Sequence, residues 1–132
     1  MKYFTISELT KSDTAKAYHI DNTPDAKSVD NMEILINECL DRIREMWGSP
    51  IYVNSGFRCE ELNRLVKGKK TSHHKRGMAA DITTHNIEKN RQLFEMIKNS
   101  DIPFTQLIDE SDYLWVHISY DKKNLKRQIL KS

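Results

Sequence analysis

Cysteine is scarce in this chain, with only Cys39 and Cys59 present. Neither stands in a short Cys-containing metal pattern, so two free thiols are expected, with one disulfide as the alternative. Long apolar runs are also missing. No stretch approaches the roughly 20 apolar residues needed to span a bilayer, so membrane insertion is not expected. The start, Met1-Lys2-Tyr3-Phe4-Thr5-Ile6-Ser7, lacks the basic segment, apolar run and small-residue cleavage site of a secretory leader. Synthesis in the cytoplasm without standard export is the expectation. Charge of one sign is lacking too, because 21 Lys and Arg face 19 Asp and Glu. The resulting net charge of +2 does not by itself imply a nucleic-acid partner. Repeats, linkers and low-complexity segments are absent.

What is present is an ordinary globular composition, 38% apolar and 30% charged over 132 residues. This length fits one domain, residues 1–132, and is too short for two. Thr5 and Glu8 have capping-box spacing and predict a helix from about Ser7 into Ala15–Tyr18. Asp21–Asp25 reads as a loop. Met32, Leu35, Ile36, Cys39, Leu40, Ile43, Met46 and Trp47 then recur at three- and four-residue steps, an amphipathic helix that Gly48-Ser49-Pro50 ends. Ile51–Asn54 and Ala79–Thr83 read as strands, with a helical turn at Leu62 and Leu65 between them. Ile87, Leu93, Phe94 and Ile97 mark a helix over 87–99. Strands at about Thr105–Asp109 and Leu114–Ser119, joined by Glu110-Ser111-Asp112, have hairpin spacing. Helices come early and strands cluster late, which predicts an α+β fold with a mainly antiparallel sheet.

The densest chemical cluster is Ser72-His73-His74-Lys75-Arg76-Gly77-Met78-Ala79-Ala80-Asp81, where imidazoles and a carboxylate surround a glycine. These are zinc-ligand types. If Ala79–Thr83 is a strand, Asp81 projects from one face, and Gly77 permits the turn that folds His74 back beside it. Small Ala79 on that face leaves room for an ion. The alternative is a surface loop whose histidines are solvated and whose Asp81 caps a neighbour. In Trp115-Val116-His117-Ile118-Ser119, alternation puts Trp115, His117 and Ser119 on one face. His117 alone reads more readily as a packing residue than as a ligand, and gains meaning only beside the first cluster.

Ser72, His74, Gly77, Ala79 and Asp81 fit an S-x-H-x-x-G-x-A-x-D signature, and Trp115-x-His117 fits a second one. Together they resemble peptidase family M15, the zinc D-alanyl-D-alanine carboxypeptidases and related phage L-alanyl-D-glutamate endopeptidases. Phe4–Leu9, Ser55-Gly56-Phe57-Arg58, Asn63 and Gln106-Leu107-Ile108 extend the likeness to the family's small single-domain branch. The resemblance implies zinc held by His74, Asp81 and His117 on the sheet face, with one coordination position left open. It implies a substrate too: peptidoglycan peptides containing D-amino acids, cut by a carboxypeptidase or an endopeptidase.

One departure matters. Many members place the catalytic glutamate three residues before the last histidine, where this chain has Leu114. In the small branch a glutamate follows the Gln-Leu-Ile strand, here Glu110, and a turn at 110–113 would return it toward the metal. Asp112, in the same turn, is its rival, and both also read as solvated turn acids. Arg58 resembles the family arginine that faces substrate, a surface ion pair being the alternative. Ser72 is expected to orient the peptide or shape the ligand loop. His73 stays outside the metal set.

A non-catalytic zinc module on the same fold, kept alive by Leu114, is the second reading. A nucleic-acid binder using Lys67, Lys69, Lys70, Lys75 and Arg76 is a third, disfavoured by the balancing acids. A monomer acting on the cell wall after phage-type release is the simplest account of a chain without a leader.

Overall fold

The computed structural model describes residues 1–132. Two short helices open it, α1 (Ile6–Thr10) and α2 (Asp13–Ala17), where the sequence predicts one. Thr5 Oγ1 accepts from the Glu8 N–H at 3.1 Å and starts α1 as expected. The break falls at Lys11 because Ser12 offers a second start, its Oγ accepting from the Ala15 N–H at 3.1 Å. A capping hydroxyl competes with helix continuity.

The long amphipathic segment is α3 (Ala26–Leu35), a π turn (Ile36–Leu40) and α4 (Asp41–Trp47) in one run. It begins earlier than the apolar stripe, because Asp25 Oδ1 caps Ser28 N–H at 2.8 Å. Met32, Leu35, Ile36, Cys39, Leu40 and Ile43 are all buried. The π turn holds one residue more than an α turn, and downstream of it Met46 faces solvent, 49% exposed, against the expectation from spacing. Gly48 closes the helix at φ +77°, its N–H bonding the Arg44 carbonyl at 3.0 Å.

Five strands follow: β1 (Tyr52–Ser55), β2 (Ala79–Thr83), β3 (Gln106–Glu110), β4 (Trp115–Ser119) and β5 (Gln128–Lys131). They form one sheet in the order β1-β2-β4-β3-β5. All pairings are antiparallel except β3 with β5. The fold is thus α+β with a mainly antiparallel sheet, as predicted. Ala80 and Ile82 of β2, Leu107 of β3, and Val116 and Ile118 of β4 join Leu40, Ile43, Leu93 and Ile97 in a cluster of 20 buried apolar residues. Each fully buried Leu or Ile contributes about 1.5–3 kcal/mol. The sheet's other face is left free for chemistry.

Three details depart from the sequence reading. Glu110 is the last residue of β3, so the hairpin turn begins at Ser111. It runs through three successive left-handed residues, Ser111, Asp112 and Tyr113, and buried Asp109 accepts the Tyr113 N–H at 2.6 Å to hold them. In α6 (Ile87–Lys98), Ile87 is exposed and the inward position of the first turn goes to Asn90. Its amide donates to Thr83 Oγ1 at 3.0 Å and to the Tyr113 carbonyl at 2.9 Å. Strand β5 was not expected at all, and α5 (Glu60–Leu65) is the helical turn foreseen at Leu62. Both cysteines are free; Cys39 Sγ donates to the Pro103 carbonyl at 2.9 Å, and burial pushes its thiol up to about 12. No helix is long and apolar enough to cross a membrane.

Candidate metal centre and its cavity

The antiparallel register of β2 and β4 sets Asp81 directly opposite His117. Directly paired residues point to the same face, and His117 Nδ1 lies 2.9 Å from Asp81 Oδ1. The third member comes from a 3₁₀ turn, His73–Arg76, that precedes β2. Ser72 Oγ starts this turn by accepting the His74 N–H at 3.1 Å. Gly77 ends it at φ +71°, where a Cβ would lie 2.5 Å from the Ser28 carbonyl oxygen. Only glycine fits there without strain.

His74 is buried, and its Nδ1 is 2.6 Å from the Gly56 carbonyl. A carbonyl only accepts, so Nδ1 carries a proton and Nε2 is the ring atom turned to the site. Nε2 lies 3.3 Å from Asp81 Oδ1. One ligand atom from each of His74, Asp81 and His117 falls within 4.8 Å of the others. Burial alone would raise the Asp81 carboxyl, but the two imidazoles outweigh it and hold it well below the usual carboxylate range. Two imidazoles and an ionised carboxylate, converging and desolvated, fit the donor set of a catalytic zinc site. His73 borders the cavity but lies outside this cluster.

The cluster opens into a cavity of about 470 Å³. Glu110, Trp115, Ile108, Arg58 and Ser72 border it. The strand register brings Ile108 opposite His117 and Glu110 opposite Trp115, so all four share the metal-facing side of the sheet. Asp112 is not there. Its side chain is 88% exposed and lies 3.5 Å from Lys131 Nζ. Arg58 reaches the cavity with Nη2 3.7 Å from Asp81 Oδ2. Ser72 borders the cavity while its oxygen caps the turn.

Four of the basic residues weighed as a nucleic-acid surface divide between two concavities. Lys67 and Lys69 border this cavity, whereas Lys75 and Arg76 line a separate concavity of about 300 Å³ beyond the His73–Arg76 turn. Lys75 is also paired with Glu60 at 2.7 Å. The Gly56 carbonyl went unforeseen, since a backbone oxygen leaves no trace in a side-chain pattern. Asn63 was visible only as part of a likeness, with no role attached.

Two imidazoles, a carboxylate, a further acid and an arginine around one cavity make a candidate metal centre of the hydrolytic kind. A family model described as Peptidase M15 matches residues 2–119, and the chain belongs to that family. No curated protein matches the chain significantly.

Proposed function

We propose that the protein is a zinc-dependent peptidase that hydrolyses cell-wall peptides containing D-amino acids, as a carboxypeptidase or an endopeptidase. The observation that carries the reading is the convergence of His74, Asp81 and His117 at a cavity that Glu110 and Arg58 also border. Zinc held by these three side chains would supply Lewis-acid polarisation and activation of water. Glu110 takes the proton from the attacking water at its carboxylate and returns it to the leaving amine. Arg58 turns its guanidinium toward the scissile carbonyl or a substrate carboxylate, where its donors stabilise negative charge. Ser72 acts through the turn that places His74. Trp115 forms a wall against which the peptide packs.

Digestion of purified peptidoglycan, with mass analysis of the released fragments, tests the reading. Defined peptide fragments should appear with the zinc-loaded protein and disappear with a chelator, and their termini identify the bond cut. Zinc-loaded protein that releases nothing from any wall preparation would establish a non-catalytic zinc module in its place.

A further inference from the structure

The arginine of the cavity is held in an unusual way. Its side chain is only 15% exposed. A cation so placed needs acceptors. Nε donates to Ser55 Oγ at 3.1 Å and Nη1 to Asn63 Oδ1 at 3.0 Å. Both acceptors are neutral. The one carboxylate in reach is Asp81, 3.7 Å from Nη2, and it belongs to the metal group. The guanidinium is therefore aimed by groups that do not cancel its charge.

Asn63 does a second thing at the same time. It is buried, 2% exposed, and its Nδ2 donates to the Lys69 carbonyl at 2.9 Å. Its own backbone carbonyl accepts the Gly68 N–H at 2.8 Å. Lys67, Gly68 and Lys69 border the cavity. The packing between loop and arginine is close, since a Cβ at Gly68 would lie 2.1 Å from Asn63 Oδ1 and 2.7 Å from Arg58 Nη1. One buried amide thus joins the cavity-lining loop to the guanidinium.

We propose that Asn63 is a positioning residue for the reaction, acting through Arg58: it fixes the guanidinium by an uncharged acceptor, leaves the charge available to the substrate, and ties the 67–69 loop to the same point. This rests on the peptidase reading above. An acid at position 63 would hold the fork as firmly, but would neutralise the charge that a substrate carboxylate or a developing oxyanion requires.

A double-mutant cycle on a cell-wall peptide tests it. Asn63→Ala should lower kcat/KM by about 10-fold or more with zinc content unchanged. In an Arg58→Lys background the same change should cost less than about 2-fold, because lysine has no Nη1 for Asn63 to hold. Equal losses in both backgrounds would show that Asn63 supports the fold alone, and would overturn the proposal. Should Asn63→Ala fail to fold, Asn63→Asp keeps the volume and the Oδ1 acceptor. It should lose activity because its charge neutralises the Arg58 guanidinium, and wild-type kcat and KM would sink the idea. A wild type that cleaves nothing would refute the peptidase reading without touching the geometry. In that case nitrogen NMR decides: the Arg58 Nη signals should be resolved in the wild type and collapse together in Asn63→Ala, and identical spectra would refute the hold itself.

Discussion

At Asp81 a carboxylate meets His117, His74 and Arg58 at 2.9, 3.3 and 3.7 Å. The sign of its pKa shift has a consequence for the fold. A carboxyl depressed below its unfolded value of about 3.9 adds stability at all pH above that value, and the contribution disappears only in stronger acid. Asp81 is therefore anionic at neutral pH. With only three protein donors converging, no spare exists: His117→Ala should reduce bound zinc from about one ion per chain to near none, read by metal analysis after dialysis. Full retention would refute the ligand set. The acid is tested separately. Glu110→Gln should keep zinc and fold yet lose at least ~100-fold in turnover, while Asp112→Asn, out on the turn beside Lys131, should match wild type. The reverse outcome would transfer the role to Asp112.

At the scale of elements, the His73–Arg76 turn depends on a residue without a side chain. Gly48 and Gly77 have nearly the same backbone, φ +77° and +71°. They differ in their surroundings, because a Cβ at Gly48 meets nothing within 4 Å and one at Gly77 collides with the Ser28 carbonyl. Gly48→Ala should cost only the left-handed strain, about 1–2 kcal/mol, and leave zinc affinity alone. Gly77→Ala adds the collision, should cost more than Gly48→Ala in a denaturant titration, and should weaken zinc binding by moving His74. Equal costs would mean that crowding at Gly77 is unimportant. The same contrast explains what was legible in sequence. Elements announced by side chains were readable: Thr5 as a cap, the strands that carry Asp81 and His117, and a hairpin between the last two predicted strands, though the turn was drawn one residue early, at Glu110. Features made by backbone or by a distant partner were not. The π turn moves Met46 to solvent, and Asn90 displaces Ile87 from the core by bonding to residues of two other elements. Strand β5 carries no apolar alternation and is mostly exposed. It is held instead by main-chain bonds, such as Gln128 N–H to Thr105 O at 2.9 Å, and by Arg127 stacked 4.3 Å above the Phe104 ring.

For the molecule as a whole, the question is how far metal and fold depend on each other. The three donors are separated in sequence, with His117 lying 36 residues beyond Asp81, so an unfolded chain offers no comparable site and binding energy adds to folding energy. Yet the cluster of 20 buried apolar residues includes none of the three donors, and it packs the opposite face of the sheet. The core should therefore stand without the ion. Zinc at about a thousand times its dissociation constant adds ~4 kcal/mol, which for a chain of this size raises Tm by roughly 10 °C or more. A chelator should remove that increment while leaving far-UV circular dichroism unchanged at 25 °C. In His117→Ala the chelator should shift Tm by less than about 1 °C, because the increment was never present. If the chelator instead unfolds the wild type outright at 25 °C, the sheet's metal-facing side is holding up the core, and the division of the molecule into an apolar face that folds and a polar face that reacts is wrong.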